Sequence, residues 1–420
     1  MLPTPLIEET AALRLGAIPT PALAPDEIEA IGTEAAARRL AVYPASAGYD
    51  LVDELAFLAN RAIEPNVFFD PRFLAPAMPR IEDREVRLAV IRDADAERRR
   101  LRLLVPFTLD RAAPVFGVSV MRSWSSPYSP LGTPLVDRDA PADYLEDLFA
   151  LLSRPHLRLP QVFVFPDILL DGTFAGTLKL MAQSANLPVA TLERGERVFL
   201  GGGGDADAYL KERLSAHHRG EFRRQWRRLG EIGEVSHTVA RSRDEVRLAA
   251  ETFLALESSG WKADAGTAMA MDRYHAAFFR EAMDRMAGAD MVRIHTLFAG
   301  SEAVASLVVL IQGGVAHAWK IAFDERRAAL SPGMLLMIEA TRRLLDDPNV
   351  LQTDSCAGAD HPMIARLWGE RRPIGTILVG LTPKAERATA RAARQMKRHA
   401  EWRARAKRMR DRVKRMMPGR

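Results

Sequence analysis

Apolar positions along the chain alternate between helical and strand periods, and the order of those periods occurs twice. In the first half, Leu40–Tyr43 reads as a short strand. Val52–Ile63 has helical spacing through Leu55, Leu58 and Ala59. Phe69–Ala75 predicts a second short helix, with Pro71 at its start, where a missing N–H costs nothing. Val86–Arg92, Leu101–Leu109 and Val115–Met121 are strand-like runs. Pro141–Leu152 predicts a helix, Gln161–Phe165 a buried strand, Phe174–Ala185 a helix and Pro188–Leu192 a strand. Residues 1–39 form a Pro/Ala-rich lead-in with a helical stretch near Asp26–Leu40.

The glycine run Gly201–Gly204 separates the halves; no Gly-Lys-Ser/Thr follows it, so it reads as a hinge rather than a phosphate cradle. Tyr209–Leu229 then predicts one helix, and Val235–Ala240 a strand. Ser242 and Glu245 have capping-box spacing before a helix that Ser258-Ser259-Gly260 stops. Asp272 caps the next helix, which ends at Gly288. Met291–Phe298, Ala303–Ile311 and Val315–Phe323 are strands joined by hairpin turns. Ser331-Pro332-Gly333 opens a helix through Leu345, with Ser331 expected as its cap. Val350–Ser355, Met363–Trp368 and Ile374–Leu381 complete the half as strand, helix and strand. Each half thus reads strand, helix, helix, three strands, helix, strand, helix, strand. The expected fold is α/β, a mixed sheet flanked by helices and found twice.

Composition narrows the class. At 420 residues and 48% hydrophobic, the chain can build real cores, and no apolar run approaches the ~20 residues a membrane span needs. The N-terminus lacks a basic stretch followed by an apolar one, and the single cysteine, Cys356, can form neither an internal disulfide nor a cysteine-based zinc site. A cytoplasmic protein is expected. No metal site is expected either, since His217-His218 lacks partners at helical spacing. The net charge of +5 divides unevenly. Residues 384–420 hold fifteen Lys/Arg against three acidic residues, a surplus of twelve, which leaves the rest of the chain at −7. That argues against nucleic acid as a partner of the folded body. The tail has no Gly or Pro from Ala385 to Met417 and predicts a helix. Trp402, Ala406, Met409, Val413 and Met416 form an apolar stripe between arginines, a pattern suited to the anionic inner face of a membrane.

The doubled element order is similar to the GNAT superfamily of acyl-CoA-dependent N-acyltransferases. LESSGWKADAGTAMAM (Leu256–Met271) and WKIAFDERRAALSPGMLLMIEA (Trp319–Ala340) resemble motifs of CelD-type acetyltransferases, double-GNAT proteins often associated with cellulose and exopolysaccharide synthesis. Ala263 stands where that family has Gly, and the phosphate loop, here Arg327 to Gly333, lacks the superfamily's compact spacing. The resemblance implies a GNAT-like domain over 40–200 and a second over 201–383, each a mixed, mostly antiparallel sheet splayed between its fourth and fifth strands. It implies an acetyl-CoA or other acyl-CoA donor, and an amine or hydroxyl acceptor on a sugar or small metabolite. The first half has YSPLGTP (Tyr128–Pro134) at the phosphate-loop position, without a basic residue, so that domain is expected to be catalytically silent. Other readings are a Fem-type aminoacyl-tRNA-dependent transferase and a non-enzymatic accessory protein of an exopolysaccharide machine.

Candidate site residues follow. The helix start at Ser331, Pro332, Gly333 and Met334 offers backbone N–H groups to a pyrophosphate, with Arg326 and Arg327 adding charge. The resemblance places the pantetheine along Lys320–Phe323, with Ile321 and Ala322 as contacts. Acyl transfer to an amine needs that amine uncharged and the carbonyl oxygen stabilised. Asp354, Glu257 and Lys320 are the candidates for catalysis, and Trp261, Lys262, Trp319 and His361 for the acceptor. Trp319 and Lys320 are expected on opposite faces of their strand. Structural alternatives stay open: Glu257 solvated, Lys320 paired in the core, Trp261 packing only, Asp354 and His361 as local caps. Cys356 is expected to be buried and inert. Arg219, Arg223, Arg224, Arg227 and Arg228 form a basic helix face, solvated or an anion site.

Overall fold

The computed structural model describes residues 3–11, 38–82, 84–94, 100–114, 116–260 and 268–416, with backbone alone at 9–11, 407 and 411–416. The lead-in contributes one strand, β1 (Ile7–Ala11), paired antiparallel with β2 (Arg38–Pro44). The helix expected near Asp26–Leu40 lies largely outside the described residues, and its last residues belong to β2. Leu40 and Val42 pack on one face of β2, Ala41 and Tyr43 on the other, a two-sided burial that a strand provides.

The first half continues with α1 (Val52–Ala59), α2 (Pro71–Ile81), β3 (Arg87–Asp93), β4 (Leu101–Arg111), β5 (Ser119–Ser123) and the two-residue β6 (Leu135–Val136). It closes with α3 (Pro141–Leu152), β7 (Val162–Leu169), α4 (Thr173–Ser184) and β8 (Val189–Gly201). Asp70 caps α2 by accepting from Arg72 N, ahead of Pro71 at the first helical position. β8 runs far beyond the strand expected at Pro188–Leu192, because tertiary pairing extends it through a polar stretch.

Two helices, α5 (Ala206–Arg213) and α6 (Ala216–Gly230), replace the single helix expected over Tyr209–Leu229. Leu214 is extended, and the Ser215 hydroxyl accepts from His218 N to start α6. The Arg219 guanidinium donates back to the Lys211 and Leu214 carbonyls, satisfying the end of α5. The second half then holds β9 (Val235–Ala240), α7 (Arg243–Ser258), α8 (Arg273–Ala287), β10 (Val292–Ala299), β11 (Glu302–Gln312) and β12 (Val315–Phe323). It ends with α9 (Pro332–Asp346), β13 (Gln352–Gly358), a turn of helix at Ile364–Leu367 and β14 (Glu370–Gly380). The capping box on α7 forms as the spacing predicts, and Asp272 caps α8. The helix α10 (Glu386–Met416) follows.

The doubled element order holds, but the two sheets are not separate. One hydrogen-bonded path runs β1-β2-β3-β4-β5-β7-β14-β8-β13-β12-β11-β10-β9. β14, the last strand of the second half, lies between β7 and β8 of the first, while β8 lies between β13 and β14. Each half therefore supplies one strand to the other's sheet, and this exchange joins two units into a continuous one. The splay is present in both. β5 and β7 pair in parallel only at Met121↔Phe163 and Arg122↔Val164, and β12 and β13 only from Val315↔Gln352 to His317↔Asp354. A shared core lies on one face, where α1 and α2 meet α7 and α8: Phe73 stands edge-on to Phe278 at 5.2 Å and to Trp319 at 5.4 Å.

Candidate active site

Beyond His317, β12 continues to Phe323 on β11 while β13 turns away to β8, so the β13-facing edge of Ala318–Phe323 has no ladder partner among the described residues. A register slip inserts Trp319 as an extra residue between Ala318 and Lys320. This bulge overturns strict alternation. Trp319 packs in the shared core, stacked on Phe279, and its indole N–H donates to the Tyr128 carbonyl at 2.8 Å. The Lys320 ammonium lies 4.3 Å from the centre of the Tyr128 ring and 5.6 Å from that of Trp319, so the two side chains share a side rather than opposing each other.

Tyr128 comes from the first half, on the loop after β5. Its hydroxyl is 3.4 Å from His275 Nδ1, near the start of α8. Burial raises its pKa, and the negative charges of Glu257 and Asp272 add to the shift, so the phenol stays protonated. Glu257 is buried, not solvated: its carboxylate accepts from Met269 N at 2.9 Å, fastening the chain after α7.

Asp354 is buried and bound to a partner absent from sequence reasoning. Arg197 on β8 donates to it at 3.0 Å and to the Pro130 carbonyl at 2.8 Å. Burial is the largest single influence and works against the charged Arg197, but Asp354, together with Cys356 and Asp167, holds the guanidinium pKa above its usual value. The other Asp354 oxygen accepts from Cys356 N at 2.7 Å, a turn that carries Cys356 at φ 54°. Burial, then Asp354, pushes the Cys356 thiol up, so it stays protonated. His317, in register with Asp354, is also buried and its pKa falls to about 4; burial dominates, Asp354 opposes it, and Arg197 adds to the fall.

The donor side lies at the start of α9. Ser331 is left-handed at φ 50°, and its hydroxyl makes no cap bond; it accepts instead from the Gln225 amide of α6 at 3.2 Å. A Cβ on Gly333 would stand 3.2 Å from Phe323, so this first turn sits tight against β12. Ile321 and Phe323 face the core under α9, and Ala322 the shared core. Both arginines are committed to Asp324. Arg326 grips it with two bonds of 3.0 Å while remaining 81% exposed, and Arg327 bridges it to Glu302. Pro332 and Met334 are buried in the helix start.

His361 is exposed, and its Nδ1 accepts from Ile364 N at 3.4 Å, as a cap of the turn after β13. Trp261 and Lys262 lie outside the described residues. A cavity of about 890 Å³ opens between the halves, lined by Ser125, Asp167, Glu196, Arg197, Cys356 and Asp360 among others. The structure thus gathers Lys320, Trp319 and Glu257 around Tyr128, places Asp354 across the splay, and sets the helix start at its outer end. Tyr128, Arg197, His275 and His317 were missed. His275 and His317 lay inside predicted elements without being read as site residues, and Tyr128 lay in the YSPLGTP loop, which carried no sign that it serves the other half.

Residues 216–361 match a family model described as acetyltransferase (GNAT) domain, so that stretch of the second half is similar to this family. No curated protein matches the chain in sequence. Among solved structures, a conserved protein of unknown function from Bacteroides thetaiotaomicron is similar at 10% identity over 79% of this chain and 97% of that one, TM-score 0.50. FemX is similar at 9% identity over 78% and 95%, TM-score 0.50. A tandem GNAT protein from the clavulanic acid biosynthesis pathway aligns at 13% identity over 82% and 99%, TM-score 0.38. At these identities the likeness concerns the fold. The architecture is α/β, a large, mostly antiparallel sheet flanked by helices, with a C-terminal helix.

Proposed function

We propose that the protein is an acyl-CoA-dependent acyltransferase of the CelD-like kind, acting on an amine or hydroxyl of a sugar or small metabolite. The observation that supports it best is the open edge of β12 beyond His317, flanked at one end by the start of α9 and at the other by Tyr128, Lys320 and Glu257. An extended amide chain such as pantetheine can pair with the unpartnered edge, while the helix start takes the pyrophosphate. Arg326, exposed on one side, is better placed than Arg327 to shift from Asp324 to a phosphate.

In the proposed transfer the acceptor nitrogen attacks the thioester carbonyl. The C–N bond forms, the C–S bond breaks, and sulfur leaves with the electron pair. The protonated Tyr128 phenol supplies a proton to that sulfur, and Lys320 offers positive charge to the developing oxyanion. Asp354 and Glu257 each hold structural partners, so the acceptor's proton leaves to water in the cavity between the halves. The boundaries 40–200 and 201–383 are proposed as the two units. The first serves the second by lending Tyr128 and β8 rather than through a site of its own.

Calorimetry with acetyl-CoA, followed by thiol release across a panel of amino sugars and amines, tests this reading. Binding with release of CoA thiol is expected. Tyr128→Phe should bind the donor normally and turn over about 100-fold more slowly. Absence of CoA binding, with transfer from aminoacyl-tRNA instead, would establish the Fem-type alternative. Absence of both donors points to an accessory protein.

A further inference from the structure

The helix α10 has two unlike parts. Ala388, Ala392, Ala393 and Met396 pack against Val120, Val162, Val164 and Leu378 in a small core beneath β5, β7 and β14. After Met396 this packing ends, and the side chains described at 401–406 and 408–410 are all exposed. Trp402 is 65% exposed and Met409, two turns on and on the same face, 70%. Val413 and Met416 continue that spacing, but their side chains are outside the described residues. Residues 397–416 carry ten Lys/Arg against two acidic residues.

A second observation lies in the first half. The β4–β5 turn presents Phe116, 85% exposed, and Gln395 of α10 grips that turn on both sides of Gly117. The Gln395 carbonyl oxygen accepts from Val118 N at 2.9 Å, and its amide donates to the Phe116 carbonyl at 3.4 Å. A Cβ at Gly117 would meet Ala113 N at 2.2 Å, so the turn is tight as well as clamped. The backbone that carries Phe116 is thereby held beside the point where the basic helix leaves the body, with the ring exposed.

We infer that Phe116, Trp402 and Met409, with the arginines around them, form a docking surface for an anionic lipid bilayer. Large apolar side chains held in water beside a dense positive field suit the membrane interface: the rings enter the headgroup region while Arg398, Arg403, Arg405 and Arg410 meet lipid phosphates. Charge complementarity commits the surface to an anionic bilayer rather than a neutral one. Lipid is favoured over nucleic acid because Met409 and a phenylalanine at a turn tip add apolar area with no further charge. This inference stands apart from the acyl-transfer reading and does not depend on it.

The test is co-sedimentation of the full chain with vesicles of phosphatidylcholine alone and of equal parts phosphatidylcholine and phosphatidylglycerol. The protein should pellet with the anionic vesicles only, and salt should weaken the binding. Phe116→Ser combined with Trp402→Ser keeps every charge and both sites are exposed, so its thermal unfolding should match the parent. Its partition onto anionic vesicles should fall roughly tenfold or more. Protein that stays in the supernatant at low salt overturns the inference. So does a double variant that partitions like the parent, and a DNA duplex that strips parent and variant alike then identifies a general polyanion site.

Discussion

At the scale of single residues, buried ionisable groups dominate. His237 and His295 face each other across β9 and β10, 3.2 Å from Nε2 to Nδ1. Burial lowers His237 to about 4, with Arg343 adding to the effect. Burial lowers His295 to about 3, followed by His237, Arg293 and Arg343. With His317 at about 4, all three bind protons more weakly in the folded state than in the unfolded one, whose histidines titrate near 6.5. Their contribution to stability is complete above pH 6.5 and is lost as pH falls towards 4. Buried His295 and His317 can each remove up to about 1.4 kcal/mol per pH unit in that window, and half-buried His237 less, because solvent screens it. Urea midpoints measured from pH 8 to pH 5 should fall along this slope, and His295→Gln should flatten it. The Asp354–Arg197 pair has the opposite logic, because both partners are charged and buried. Asp354→Asn leaves Arg197 unpaired and should cost about 3–5 kcal/mol, whereas adding Arg197→Met should recover most of that loss. If turnover recovers along with stability, Asp354 is a strut between β8 and β13. Turnover that stays low in a stable double variant returns Asp354 to the chemistry.

At the scale of elements, the exchanged strands matter most. β8 and β14 pair antiparallel from Glu370↔Phe199 to Val379↔Val189, across the middle of the sheet. Gly375 sits at the register slip in that pair, where a Cβ would come within 2.5 Å of the Leu192 carbonyl oxygen. Gly375→Val should force the two strands apart and lower the melting temperature by several degrees; an unchanged melt means the slip can move. The bulge at Trp319 is the other element-level device. It turns one side chain into the core and brings the next over Tyr128. Deleting the bulge, by removing Ala318, should leave Lys320 opposite Val308 but turn Trp319 out of the shared core and away from the Tyr128 carbonyl, and should abolish turnover if the cluster is the reaction centre.

For the whole molecule, the exchange makes each half incomplete without the other. A separated piece covering 40–200 lacks β14 and exposes the edges of β7 and β8, and one covering 201–420 lacks β8. Both also expose the shared core around Phe73, Phe278 and Trp319. Neither piece should fold cooperatively alone, while co-expression should restore a soluble complex. Calorimetry of the intact chain should show a single transition. Two well-separated transitions, or a stable first half alone, would falsify this interlocking.

The sequence by itself determined the elements and their doubled order, because periodicity, caps and turn residues act within a few positions. Ser242 with Glu245, Asp272 before α8 and the hairpin turns around β11 were all legible in this way. The splay was expected only through the family resemblance, not from local pattern. What depended on contacts between distant segments was not legible. The length of β8 comes from its partners β13 and β14, and its residues 193–196 are polar and exposed. Arg197 reads as an ordinary charged residue until a strand 157 positions away presents Asp354. Tyr128 joins Lys320 because the bulge and the shared core bring a first-half loop onto β12, a proximity that no local pattern encodes. Tertiary structure decided those placements, because the free energy that fixes them is gained only when both halves bury their apolar faces and exchange their strands.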